Sequence, residues 1–143
     1  MALLLLFGAL FVVMRGLERS GAVGFISTEG TQAISLGGPW TSALAVSGVM
    51  LTLSNLISNV PAVILWRYVV PRLPHSELIW QLMAMSATFA GNLLLIGSAA
   101  NLIVAERAEA RGVKLGYGEY ARAGVPVTLA TMAWGIVALV ALW

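Results

Sequence analysis

Long apolar runs interrupted by short polar steps dominate this sequence. One apolar run leads from Leu44 up to Ser54 and another leads away from Pro61 through Trp66, so the polar stretch 54–61 stands where a single membrane helix would otherwise continue. Unpaired polar groups are costly in hydrocarbon, and irregular backbone at membrane depth is tolerated only where it is buried in protein or lines a watery cavity. The pattern therefore predicts that this stretch is the tip of a re-entrant hairpin that faces a transported ion or substrate.

Pro39 and Pro61 predict where the two helices of the hairpin begin. Pro39 suits the first turn of a helix, and Pro61 both disfavours helical geometry before it and suits the start of a new helix, so we expect a helix end near Ser58. The helix after Pro61 reaches Val70, which is about 15 Å and crosses only about half of a 30 Å hydrocarbon core. Residues 39–71 are therefore predicted to form the re-entrant hairpin.

A second interruption lies in the next apolar segment, residues 76–106. This segment is too long for an untilted span, and its centre, Gly97–Asn101, is small and polar, with a further small polar step at Gly91 and Asn92. We predict a discontinuous helix with its break at Gly97–Asn101. The remaining segments are predicted to be a first membrane helix at 2–24, a charged polar loop at 107–122 and a final membrane helix at 123–143.

Composition identifies the class of protein and excludes several functions. The chain is 59% hydrophobic and 10% charged, against about 45–50% and about 25% in soluble domains, so we predict an all-α integral membrane protein. It has no cysteine, its acidic residues are all glutamates, and His75 is its one histidine. Disulfides and cysteine catalysis are thereby excluded, and a metal site or an enzyme is not expected. The net charge of +2 comes from scattered residues, so nucleic-acid binding is not expected.

Helix breaks at membrane depth suggest a transport site. A helix N-terminus exposes N–H groups that attract anions, and opposing carbonyl groups can coordinate Na⁺. The alternative is that Ser and Asn residues only hydrogen-bond to neighbouring helices as packing contacts, in a membrane protein that does not transport. The candidate site residues are Ser58, Asn59, Val60, Pro61, Gly97, Ser98, Ala99 and Asn101, followed by a second tier of Ser54, Asn55, Thr88 and Asn92.

Four stretches carry a resemblance to a known group. They are residues 11–18, 54–63, 90–104 and 117–128, which resemble the citrate-transporter-like domain of the ion transporter superfamily. This group includes arsenite permeases, sodium–proton antiporters and dicarboxylate symporters. The resemblance implies two inverted repeats, each with a re-entrant hairpin and a broken helix, and this chain matches the C-terminal repeat. In that pattern Ser58 and Asn59 are hairpin-tip residues, and Gly97, Ser98 and Asn101 belong to the break.

The resemblance also implies a function. We expect a secondary transporter of citrate-like or arsenite-like anions, in the plasma (inner) membrane as a multi-pass protein that works by alternating access. Val60 departs from the Ser-Asn-Thr tip of sodium-coupled members and is closer to the arsenite-permease branch. No cofactor is expected, and coupling to H⁺ or Na⁺ stays open. The expected partners are an anionic solute, the lipid bilayer, and an N-terminal repeat or a second copy of the chain.

Overall fold

The computed structural model describes residues 2–21, 34, 37–67 and 69–143, and all regular structure within them is helical. The α-helices are α1 (Ala2–Arg19), α2 (Pro39–Ile57), α3 (Asn59–Trp66), α4 (Ser76–Ala90), α5 (Ala99–Glu109) and α6 (Tyr117–Leu142), with 3₁₀ turns at Val70–Arg72 and Leu95–Gly97. Two of them, α2 and α6, are long and apolar enough to cross a membrane. The predicted all-α membrane fold is therefore confirmed.

The first helix is shorter than predicted. It ends at Arg19 and is followed by a turn in which Gly21 has φ +77°. The rest of the predicted helix, residues 22–24, lies outside the described residues. The exposed side chains of α1 include Phe11, Val12 and Val13, and the helix contacts α3.

The first predicted break is present between α2 and α3. Pro39 is in the first turn of α2, and Ser58 interrupts the helix with φ +75°, a strained angle for a residue other than glycine. Pro61 is the third residue of α3 rather than its first, and it is tolerated because the first N–H groups of a helix have no partner within the helix. The α3 helix ends at Trp66, earlier than the predicted Val70, and at eight residues it is about 12 Å long.

The second break begins earlier than predicted. The α4 helix ends at Ala90, residues 91–94 form a turn, and Leu95–Gly97 is a 3₁₀ turn, so the break occupies residues 91–98. Asn101, predicted to lie in the break, is in the first turn of α5 instead. The difference arises because Ser98 has extended geometry and caps α5, its Oγ accepting a 3.3 Å hydrogen bond from Ala100 N–H.

The predicted charged loop at 107–122 is partly helical. The α5 helix continues to Glu109, a turn with Gly112 at φ +80° follows, and α6 begins at Tyr117, six residues before the predicted start. The early start is favoured by Glu119, whose carboxylate accepts a 3.4 Å hydrogen bond from Gly116 N–H and so satisfies a donor at the helix N-terminus.

The core lies where α2, α3 and α4 pack together. Ser86 Oγ on α4 donates to Ser47 Oγ on α2 at 2.9 Å, and the small residues Ala43 and Ala87 of the two helices are buried in the same core. Small residues of this kind permit close helix packing. The α6 helix contacts α4 through a stripe at four-residue spacing, which comprises the buried residues Gly124, Thr128, Met132 and Ile136. None of the residues of α5 is buried.

Candidate functional site

The end of α4 is held by side chains from three other helices. Asn55 Nδ2 on α2 donates to the Ala90 carbonyl oxygen at 3.0 Å. Asn101 Nδ2 on α5 donates to the Gly91 carbonyl oxygen at 2.7 Å, and Thr128 Oγ1 on α6 donates to the Phe89 carbonyl oxygen at 3.5 Å. The carbonyl groups at the end of a helix lack partners within the helix. These donors therefore stabilise an interruption that would otherwise be costly inside a membrane.

Two glycines allow the two breaks to meet. A β-carbon at Gly97 would lie 2.6 Å from Asn55 Oδ1, and one at Gly91 would lie 3.2 Å from Asn59 Nδ2 and 3.4 Å from Ser98 Cβ. Backbone can approach this closely only where there is no side chain. Asn55 and Asn59, on either side of Ser58, thus lie against Gly97 and Gly91 of the second break.

Several buried oxygen atoms at and beside these breaks make no hydrogen bond. Within the described part of the chain, Asn55 Oδ1, Asn59 Oδ1 and Ser54 Oγ are buried and have no partner. Leaving a buried polar group unsatisfied costs about 1–3 kcal/mol. The amide nitrogen of Asn55 donates to the carbonyl oxygens of Ala90 and Leu51, so its unpaired oxygen takes no part in these contacts.

The site therefore combines neutral donors and acceptors. Helices α3 and α5 begin at the two breaks, with Asn59 and Ala99 as their first residues, and helix N-termini expose N–H groups with partial positive charge. The amide oxygens of Asn55 and Asn59 and the hydroxyl group of Ser54 are the hydrogen-bond acceptors. Among the described residues, no cluster of three or more His, Asp or Glu side chains could hold a metal ion. Such an arrangement can bind a small hydroxylated or anionic solute by hydrogen bonds.

The other predicted site residues divide between the break and its surroundings. Gly97 and Pro61 are buried, Ser58 and Ala99 are half-buried, and Val60 is 46% exposed at the first break. The two remaining second-tier residues make no side-chain contact between the two breaks: the Thr88 hydroxyl donates to the Ala84 carbonyl oxygen of its own helix at 2.7 Å, and the Asn92 side chain, in the second break, is exposed.

Asn92 lines a separate cavity of about 590 Å³ together with residues of the α6 N-terminal region and the segment before it. These are Leu115, Glu119, Tyr120, Ala123, Gly124 and Val127.

Sequence reasoning missed two residues of α6, Gly124 and Thr128. Both lie within a segment predicted only as a membrane helix, and their contacts are with residues more than thirty positions earlier. The one available signal is their four-residue spacing, which places two small residues on the same helix face.

Comparison with known proteins identifies relatives that are transporters. The chain is 35% identical over 144 residues to a silicon efflux transporter of rice, Oryza sativa subsp. japonica. It is 34% identical over 144 residues to a Dictyostelium discoideum protein named "Putative transporter arsB", and 30% identical over 147 residues to an uncharacterized transporter of Mycobacterium tuberculosis. These alignments cover 94%, 94% and 98% of this chain. All three names describe transporters, in agreement with the prediction of a transporter rather than an enzyme.

The chain spans only 30%, 24% and 33% of the lengths of these three relatives, respectively. No family model matches the chain, and no solved structure matches it. That the chain corresponds to a C-terminal repeat stays a prediction. The predicted resemblance itself is confirmed: this chain is homologous to membrane transporters, in agreement with the arsenite-permease and citrate-transporter-like group of the ion transporter superfamily.

Proposed function

We propose that this chain forms one half of the solute site of a secondary transporter that works by alternating access. The observation that carries the proposal is the meeting of two helix breaks at which the buried amide oxygens of Asn55 and Asn59 have no partner among the described residues. Interrupted helices that meet at membrane depth are typical of transporter binding sites. The names of the relatives support transport as the function.

The proposed solute is a small anion or hydroxylated acid of the citrate-like or arsenite-like kind. The N–H groups at the starts of α3 and α5 would bind its oxygen atoms, and Asn59 and the neighbouring Ser98 would orient it. The relatives named "Putative transporter arsB" and silicon efflux transporter support the arsenite-like end of this range. Coupling to Na⁺ or H⁺ is part of the proposal, since unpaired amide oxygens are suitable ligands for Na⁺.

A complete site requires a partner. The described residues of this chain supply one hairpin break and one broken helix, and the relatives are three to four times as long. We propose that the other half comes from a second repeat, either in the same polypeptide or as a separate chain, or from a second copy of this chain. The proposed location is the plasma or inner membrane, as a multi-pass protein.

The second candidate function is a membrane protein that does not transport, in which the polar residues only stabilise helix packing. The hydrogen bonds from Asn55 and Asn101 to carbonyl groups of the break favour it, because these amide nitrogens do have a structural role. The unpaired oxygen of Asn59 favours the transport proposal, because packing alone gives no reason to bury it unsatisfied.

Uptake into proteoliposomes distinguishes the two functions. Arsenite, silicic acid, citrate and sulfate are tested with the chain alone and with a co-reconstituted chain that carries the remaining part of a full-length relative. The transport proposal predicts uptake of at least one solute, and exchange of Na⁺ for choline tests the coupling. Absence of uptake under both conditions, with the chain folded, contradicts the proposal and supports the packing function.

A further inference from the structure

The α6 helix meets the second break at Gly124 without an intervening side chain. A β-carbon at this position would overlap the carbonyl oxygen of Asn92 and lie 3.0 Å from that of Leu93. Gly124 is in the buried stripe of α6, and its contact with the break lies at the wall of the cavity that Asn92 also lines. The backbone of α6 therefore rests directly on the first residues of the break.

Thr128 makes a second contact one turn later on the same face. Its side chain is completely buried, and its hydroxyl donates to the carbonyl oxygen of Phe89 at 3.5 Å. Phe89 is in the last turn of α4, and its carbonyl group also accepts from Asn92 N–H at 3.0 Å. Together, Gly124 and Thr128 contact residues on both sides of the point where α4 ends.

We propose that Gly124 and Thr128 are positioning residues that make α6 the support of the second break, so that the conformation of residues 91–98 depends on where α6 lies. Neither residue contacts the proposed solute. They act through the end of α4, which Asn55 and Asn101 hold from α2 and α5. The inference rests on the proposed function only in treating residues 91–98 as part of a solute site.

The chain offers a matched control on the same helix. Thr131 is three residues after Thr128, but its hydroxyl donates back to the carbonyl groups of Val127 at 2.8 Å and Thr128 at 3.1 Å within α6. Thr131→Val therefore makes the same chemical change as Thr128→Val without affecting the break. Thr128→Ser keeps the hydroxyl and serves as the conservative variant.

Because the natural chain has no cysteine, a single introduced cysteine reports local opening without background. Leu95→Cys reports on the break, since Leu95 is 5% exposed in its 3₁₀ turn. Val46→Cys reports on the α2 core, where Val46 is 1% exposed. The rate of maleimide labelling is measured for both cysteines in the reconstituted chain, in the natural background and in each α6 variant. This readout does not depend on transport, so it stays informative if the proposed function fails.

We expect Thr128→Val and Gly124→Ala each to raise the labelling rate at Leu95→Cys about fivefold or more, since the first removes a buried hydrogen bond and the second adds a methyl group that displaces the break. The rate at Val46→Cys should stay unchanged, and Thr128→Ser and Thr131→Val should leave both rates at the natural level. The inference is overturned if the labelling rate at Leu95→Cys does not change in Thr128→Val and Gly124→Ala. It is also overturned if the two cysteines respond equally, because α6 would then stabilise the whole fold rather than the break.

Discussion

Asn101 on α5 donates a 2.7 Å hydrogen bond to the carbonyl oxygen of Gly91, across the break that separates the two residues in the chain. The bond closes residues 91–101 into a loop and fixes the start of α5 relative to the end of α4. Asn59 lies beside the same glycine, yet its amide oxygen has no partner in the part of the chain that the structure describes. The two asparagines thus differ: Asn101 holds the break, and Asn59 is the residue that we propose to face the solute.

The structural role of Asn101 predicts a loss of stability on substitution. Asn101→Ala leaves the Gly91 carbonyl group without its side-chain donor, and we expect the free energy of unfolding to fall by about 1–3 kcal/mol. Thermal or denaturant unfolding in detergent micelles measures the change. Asn92→Ala is the matched control, because its side chain is exposed and should change stability by about 0.5 kcal/mol or less. Equal stability of the Asn101→Ala variant and the natural chain would show that the hydrogen bond is not needed.

Close contact of the two breaks predicts that Gly97 cannot carry a side chain. In Gly97→Ala the new methyl group would lie 2.6 Å from Asn55 Oδ1 and 3.3 Å from the Gly91 carbonyl oxygen. We expect this variant to unfold more easily by about 1–3 kcal/mol, the usual cost of overpacking.

The control for Gly97 is Gly48→Ala in α2, where a methyl group would have no neighbour within 4 Å. That change should be neutral or stabilise by up to about 1 kcal/mol, because alanine favours helix. The same unfolding measurement serves both variants, and a similar response from the two glycines would contradict the described contact.

The assignment of α6 as a membrane span predicts a strong effect of charge at its centre. Leu129 lies near the middle of this 26-residue helix and is 54% exposed. An arginine at the centre of a membrane helix costs about 2.5–3.5 kcal/mol in insertion assays. We expect Leu129→Arg to reduce the inserted fraction strongly and Leu129→Ala to leave it nearly unchanged, as measured by carbonate extraction of membranes. Full insertion of the arginine variant would show that this face of α6 does not contact lipid.

The sequence was most informative where a local signal determines the structure. Pro61 and the polar residues before it predicted the break at Ser58, and the apolar runs predicted the long apolar helices α2 and α6. The bounds of the second break were less predictable, because the donors to Ala90 and Phe89 are Asn55 and Thr128, which are 35 and 39 residues away in the chain. Residues 117–122 were also predicted as part of the charged loop, whereas Glu119 helps to start a helix there. Contacts between residues far apart in the chain thus determine where the helices and breaks begin and end, and local composition does not predict these bounds.

Asn59 provides the most direct test of the proposed half-site. Asn59→Ala removes an amide oxygen that makes no hydrogen bond within the described residues, so the unfolding temperature should stay within the error of that of the natural chain, in contrast to Asn101→Ala. Uptake of arsenite, silicic acid, citrate and sulfate is measured in proteoliposomes that contain each variant together with the complementary part of a relative. We predict that Asn59→Ala abolishes the uptake seen with the natural chain while the protein stays folded. Unchanged uptake by Asn59→Ala would contradict the proposed half-site, because its central residue would then be dispensable.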